Sequence, residues 1–333
     1  MSKFQKPYDN ERIICTLCKH YCKLKEGQTG ICGVNQNSNG EMECLVYGYP
    51  TALAVDPVEK KPLYHFFPDS KSLSIGTVGC NFHCSFCQNW TISQTSKIDK
   101  SIYYSPQKIV ELAIENNCQS ISYTYNEPTI FYPYARDIAL EAKKHNIKNI
   151  FVTDGYESEE VINDMIGIID AVNVDLKAFN EQYYKKELGG ELNKVLDGLK
   201  LFAKHNIWLE ITTLLVPGKN DSEEEVRQIA QFIANELGVH VPWHISAFHP
   251  SYKENNLPST SLESLKKAYD IGKEAGLQHI YMGNIGVENH TLCPSCKMQL
   301  IERKAFGVGQ NKLQNSNQCP NCDYKIEGVF YEQ

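Results

Sequence analysis

The chain has 333 residues, 42% of them hydrophobic, enough for one large domain or two ordinary ones with a sizeable core. Its formal net charge of −7 disfavours a general nucleic-acid surface, which needs basic patches to neutralise phosphates. "MSKFQKPYDN" at the N-terminus lacks the apolar core of a signal peptide, and no apolar run approaches the roughly 20 residues of a membrane span; a cytoplasmic protein with no membrane partner is expected.

Cysteines set the organisation. Of the 13 present, all but Cys118 crowd into three regions, and in a reducing compartment such grouping reads as metal binding rather than as disulfides. A first module, residues 1–50, carries C-x2-C-x3-C-x9-C at Cys15, Cys18, Cys22 and Cys32. Its loops are rich in Gly, Asn and Lys, so a metal is expected to supply the missing core, either zinc or an iron-sulfur cluster. His20 and Cys44 are substitute ligands in this reading, Cys44 otherwise being structural. Cys118 reads as a buried small hydrophobe.

Residues 51–290 alternate short apolar runs with amphipathic helical segments. Strands are predicted at 73–79, 120–125, 149–154, 171–177, 208–216, 242–249 and 279–284. Helix starts are marked by Ser105 with Pro106, and by capping boxes at Ser222/Glu225 and Thr260/Glu263. Repeated β-α units with uninterrupted apolar strands predict an α/β fold, a partial (β/α)6-type barrel of parallel strands. Residues 291–333 form a third module, in which "CPSC" and "CPNC" place Cys293, Cys296, Cys319 and Cys322 as in a zinc ribbon or rubredoxin-like knuckle.

Active sites of such barrels lie at the C-terminal ends of the strands. The unusual residues fall there: "GCNFHCSFCQNW" after the first predicted strand, "NEP" after the second, "TDG" at the third, "DLK" at the fourth, "PGKND" after the fifth, and His244 and His249 on the sixth. Both terminal modules contain four cysteines, enough to saturate a tetrahedral metal, whereas the central loop offers Cys80, Cys84 and Cys87. Three thiolates on a four-iron cluster leave one iron without a protein ligand. A zinc site completed by His83 or by another, distant residue is the competing reading.

C-x3-C-x2-C with Phe86 before the last cysteine resembles the signature of radical S-adenosylmethionine (SAM) enzymes. The resemblance implies a [4Fe-4S] cluster on Cys80, Cys84 and Cys87 whose open iron chelates SAM, reductive cleavage of SAM to a 5'-deoxyadenosyl radical, and hydrogen abstraction from an unidentified substrate. It also implies cofactor contacts at Phe86, Asn89, Asn126, Glu127, Asp154, Asp175, Lys177 and His244. Together with "DPVEKKPLYHFFP", "YTYNEPTIF", "VNVDLKAF" and "PWHISAFHPSY", the chain resembles the radical enzyme of the AmmeMemoRadiSam group, related to pyruvate formate-lyase activating enzymes. That implies a small-molecule or protein substrate, an electron donor such as flavodoxin or ferredoxin, and Memo-like and AMMECR-like partners. The chain departs from the glycyl-radical activases at Val152 and Thr212, where they carry Asp and Arg. A glycyl-radical activase, an iron-sulfur electron carrier and a zinc-ribbon docking module are the alternatives.

Overall fold

The structure is a computed structural model that describes residues 3–9, 11–205, 207–304 and 306–330. From the N-terminus, β1 (Gln5–Pro7), β2 (Arg12–Cys15) and β3 (Lys23–Lys25) pair as a small antiparallel sheet, and β4 (Asn35–Ser38) and β5 (Glu41–Cys44) as a hairpin. Next come β6 (Ala52–Pro57), β7 (Lys71–Gly76), β8 (Ser120–Tyr123), β9 (Lys148–Thr153), β10 (Ala171–Asp175), β11 (Trp208–Leu215), β12 (Trp243–Ala247) and β13 (Ile280–Gly283). They form one eight-stranded sheet in strictly sequential order whose edge strands β6 and β13 do not pair with each other. All seven predicted strands are present, as β7 to β13, and run parallel. β6 was not anticipated: it pairs antiparallel with β7, and "ALAVDP" contains both a charge and the Pro that suits an edge.

Helices cover the sheet because parallel strands need long crossovers, and β8 and β12 are accordingly buried along their whole length. Ser105 and Ser222 cap their helices by accepting from the backbone N–H of Lys108 and Glu225. The third cap differs from expectation. Ser261, not Thr260, accepts from the third helical N–H, that of Ser264; Thr260 turns inward, its hydroxyl receiving the N–H of Phe248 and donating to the carbonyl of Leu215. No helix among the described residues is long and apolar enough to cross a membrane.

The two cysteine-rich ends attach differently. Phe4, Ile13, Leu17, Val34 and Val46 of the N-terminal segment share one hydrophobic core with the central sheet. The C-terminal strands β14 (Thr291–Leu292), β15 (Gln299–Lys304) and β16 (Gly307–Asn311) instead close a small core of their own with Leu313, Ile326 and Phe330. That tail docks through Arg303, which is completely buried, donates to the Thr291 hydroxyl and to the Tyr64 carbonyl, and lies 4.5 Å from the Tyr64 ring centre. These contacts offset the cost of burying a guanidinium.

Candidate active site

The site is assembled at the C-terminal ends of the parallel strands, around a cavity of about 630 Å³, ample for a nucleoside-sized ligand. Its roof is the loop after β7. Gly79 enters that loop with φ +88°, and a Cβ there would come within 2.6 Å of the Cys32 carbonyl, so only glycine fits. Cys80, Cys84 and Cys87 all line the cavity, as does Phe86. Burial raises the Cys80 and Cys84 thiols well above their usual range. A metal that binds them must displace those protons, and the resulting thiolates need positive charge nearby. The loop is held from outside by Ser251, whose hydroxyl donates to the Cys87 carbonyl at 3.3 Å, and by Lys253, whose N–H reaches the Ser85 carbonyl at 3.0 Å. His83 is not among the residues that line the cavity: it is exposed, and its backbone N–H donates to the Leu188 carbonyl.

A charged wall adjoins the cysteines. Lys177 extends from the end of β10 to Asp154 and Asp175, 2.7 Å from each. Burial alone would lower its pKa, but the two carboxylates more than offset that and hold the ammonium well above its usual value. Asp154 lies 3.9 Å from the Cys80 sulfur. Glu127 is buried, and its carboxylate accepts from the Thr129 N–H and hydroxyl at 2.9 and 2.5 Å, from the Thr153 hydroxyl at 2.9 Å and from the Asp154 N–H at 2.7 Å. Burial, then Asp154 and Glu157, push its pKa upward.

Two of the expected cofactor contacts have their side chains committed to the framework. Asn126 receives the Thr77 N–H and donates to the Thr77 hydroxyl and the Gly79 carbonyl, fixing the turn that delivers Cys80. Asn89 donates to the Tyr125 carbonyl at 2.8 Å, tying the cysteine loop to the "NEP" loop. Both still border the cavity. Asp175, Thr212, His244 and Tyr281 are lateral neighbours in the register of β10 to β13. His244 is buried at the cavity edge, with Nε2 2.6 Å from Glu210. His65 and His249 are elsewhere: His65 bridges Glu327 and Tyr281 beneath the tail, and His249 is exposed beside Asn284.

Glu210 escaped the sequence reading. Completely buried, it gathers the N–H groups of Tyr64 and His65, the Trp208 indole and His244. The signal was available, since a carboxylate inside the apolar run "WLEITTLLV" must find donors. A second overlooked group lies in "DPVEKKP", where Asp56 accepts from Lys60, Lys61, Ser74 and the Tyr125 hydroxyl on the cavity rim.

Glu59 beside it is 1% exposed, and burial raises its carboxyl to about 7. A carboxyl whose folded pKa exceeds its unfolded value of 4.5 imposes no cost below pH 4.5; stability is lost between 4.5 and 7, and the loss is complete above 7. The loss amounts to roughly 3 kcal/mol. The expected result is a wild-type midpoint in urea that falls from pH 5 to pH 8, with a smaller fall in Glu59→Gln; parallel curves for the two proteins would show that Glu59 does not titrate.

Cys293, Cys296, Cys319 and Cys322 are the one group of described residues whose ligand atoms all lie within 4.8 Å of one another. The Cys293–Cys322 and Cys296–Cys319 sulfurs are each 3.6 Å apart, close to the edge of roughly 3.8 Å of a tetrahedron built on 2.3 Å zinc–sulfur bonds. The N-terminal cysteines are not drawn together in this way. Cys15 and Cys18 are buried, Cys22 and Cys32 half-buried, and burial followed by the neighbouring cysteines raises the Cys15 and Cys18 thiols. Cys44 turns its sulfur to the Ile130 carbonyl at 3.9 Å, and His20 places Nε2 3.1 Å from the Asn81 carbonyl. Cys118 is buried, as expected of a small hydrophobe.

Comparison with known proteins places this site in context. Residues 74–233 match the family model described as the radical SAM superfamily. An uncharacterized protein of Methanocaldococcus jannaschii is 40% identical over 332 residues, covering 98% of each chain. The pyruvate formate-lyase 1-activating enzyme of Escherichia coli is 20% identical over 213 residues, 60% of this chain and 87% of the enzyme. Among solved structures, the peptide-bound SuiB of Streptococcus suis superposes with a TM-score of 0.51 at 13% identity, covering 68% of this chain and 51% of that one. A radical SAM methyltransferase of Sphaerobacter thermophilus gives 0.50 at 15% identity, covering 65% and 67%. These two likenesses concern the fold. With a three-cysteine loop over the strand ends and relatives of this kind, the chain belongs to the radical SAM superfamily and is an enzyme of radical chemistry that uses a [4Fe-4S] cluster and SAM.

Proposed function

We propose that Cys80, Cys84 and Cys87 are the cluster ligands and that the cavity beneath them receives SAM together with a substrate whose hydrogen is abstracted. The single observation that supports this best is that the buried Cys84 and the half-buried Cys80 and Cys87 share the lining of one cavity with Glu127, Asp154 and Lys177. When bound there, the reduced cluster supplies the electron that cleaves SAM to a 5'-deoxyadenosyl radical. The chain's own part is binding and orientation. Lys177, at present between two carboxylates, is positioned to take the carboxylate of SAM, leaving Asp154 and Glu127 to face its ammonium. Phe86 and Thr212 supply wall, and His244 is held in one orientation by Glu210. The "NEP" and cysteine loops, cross-tied through Asn89 and Asn126, keep the two halves of the site in register and exclude water.

Cys293, Cys296, Cys319 and Cys322 are assigned one tetrahedral ion, zinc in preference to rubredoxin-like iron, in a structural role that leaves no coordination position open. Cys15, Cys18, Cys22 and Cys32 are assigned a second metal site. Residues 1–50, 51–290 and 291–333 are read as the corresponding modules. A one-electron donor such as flavodoxin or ferredoxin, and Memo-like and AMMECR-like proteins, are the proposed partners. Activation of a glycyl-radical protein is a second reading, favoured by the similarity to the Escherichia coli activating enzyme. Val152 and Thr212 stand on the cavity wall in place of the charges such activases carry there.

The reading is tested by anaerobic reconstitution with iron and sulfide, followed by chromatographic detection of 5'-deoxyadenosine from SAM and dithionite. Formation of the nucleoside is expected in the wild type and also in Cys296→Ser, which should lose the tail ion and unfold at lower temperature. A Cys296→Ser protein that stays folded, keeps its iron and forms no nucleoside would make the tail part of the chemistry.

A further inference from the structure

We propose that Cys15, Cys18, Cys22 and Cys32 hold an iron-sulfur cluster rather than zinc, and that this cluster relays electrons to the one at Cys80, Cys84 and Cys87; the inference rests on the reading of that three-cysteine loop.

Two independent observations carry it. The first is an internal comparison of the cysteine groups. The tail sulfurs are gathered as one tetrahedral ion requires, whereas neither the N-terminal group nor the three-cysteine loop is gathered within 4.8 Å. A cluster places each thiolate on a separate iron and so spaces them more widely than a single ion does. By that measure the N-terminal group resembles the three-cysteine loop and not the tail.

The second is contact. The Cys32 carbonyl lies against Gly79, the residue before Cys80, so closely that a Cβ on Gly79 would be 2.6 Å away. His20, two residues beyond Cys18, places Nε2 3.1 Å from the carbonyl of Asn81, the residue after Cys80. Cys18 also forms a β-bridge with Glu157, and Asn35 donates both to the Cys32 sulfur at 3.4 Å and to the Ile130 carbonyl at 2.7 Å. A van der Waals contact and a hydrogen bond therefore join the two cysteine groups on both sides of Cys80, and a rigid shared core holds them there. Purely structural zinc needs no such proximity. On the outer side, Tyr21 and Ile31, next to Cys22 and Cys32, are exposed apolar side chains on which a donor can seat.

The electron count closes simply. A low-potential one-electron donor protein of the flavin-hydroquinone or reduced iron-sulfur class is oxidised by one electron, the N-terminal cluster is reduced and then reoxidised, and the cluster at Cys80 receives the one electron that each cleavage of SAM consumes. No bond or proton changes partner in the relay.

The test uses the full-length protein, reconstituted anaerobically. Iron and acid-labile sulfide are counted and the EPR spectrum of the reduced protein is recorded before any turnover. About four irons beyond those of the Cys80 cluster are expected, with a second reduced signal, and both should be absent in the double variant Cys18→Ser/Cys22→Ser, which leaves two of the four thiolates. 5'-Deoxyadenosine formation is then compared with dithionite, small enough to reach either cluster, and with photoreduced flavodoxin. Cys18→Ser/Cys22→Ser should keep the dithionite rate within about two-fold and lose on the order of ten-fold with flavodoxin. His20→Ala, which removes no cysteine, should keep all its iron and still slow the flavodoxin reaction relative to dithionite. Zinc at the N-terminal site, or an unchanged flavodoxin rate in a Cys18→Ser/Cys22→Ser protein that has lost the second signal, would overturn the relay. A wild type that holds both clusters but forms no nucleoside with dithionite would overturn the underlying reading of the three-cysteine loop, and the relay with it.

Discussion

A Cys84→Ala protein is expected to purify folded, to retain its tail ion and to form no 5'-deoxyadenosine with any reductant. Cys84 is buried beneath the cavity roof, and its replacement removes a single sulfur from a loop that is otherwise anchored by Lys253, Ser251 and Gln94. The fold therefore has little to lose, since deleting one buried heavy atom costs on the order of 1 kcal/mol. The cluster has much more to lose, because two thiolates leave two irons without protein ligands. Iron analysis and nucleoside chromatography on the same sample check this directly, and full cleavage activity in Cys84→Ala would remove the cluster assignment.

Lys177→Met is expected to do two things at once. Without cofactor it should destabilise the chain by roughly 3–5 kcal/mol, because Asp154 and Asp175 lose the cation between them and Asp154 is left as an uncompensated buried charge. It should also weaken SAM binding about ten- to a hundred-fold, the value of one charge-assisted contact. Urea unfolding reads the first effect and equilibrium binding of SAM to the reconstituted protein the second. Adding Asp154→Asn to Lys177→Met should recover part of the stability and none of the affinity. Full SAM affinity in Lys177→Met would leave the lysine a purely structural ion-pair partner.

Much of this architecture was legible from the chain because parallel strands buried on both faces must be continuous apolar runs, and polar residues interrupting their ends then mark the open side of the sheet. The runs containing Ile75, Tyr123, Phe151 and Val174 were found for that reason. β6 was not, since an edge strand such as "ALAVDP" carries no such signature. Cysteine spacing separated four-ligand from three-ligand groups, yet it could not tell compact sulfurs from spread ones, a property that depends on how β2 to β5 fold. Side-chain allegiance was the least legible level. "NEP" placed Asn126 at the cavity, but nothing in three letters shows that its amide is occupied by Thr77 and Gly79, residues 49 and 47 positions earlier in the chain. The same holds for Glu210, whose four donors come from three segments, the Tyr64–His65 pair, Trp208 on its own strand and His244 on the next.

Arg303 reaches the Tyr64 carbonyl across 239 positions of sequence, and His65 meets Glu327 across 262. On a nascent chain emerging at some 5–20 residues per second, these attachments cannot form until the last segment has been made, well after β7 to β10 are free to pair. The N-terminal cysteine segment waits as well, because its resting places on Ile130, Tyr156 and Ser158 are synthesised between 95 and 142 residues after the groups they hold. During that interval Cys15, Cys18, Leu17 and Val34 are without the core that later encloses them. Metal delivery to this end of the protein is thereby placed under the timing of translation: a ribosome that pauses before residue 130 leaves thiols open to oxidation that the finished molecule shields.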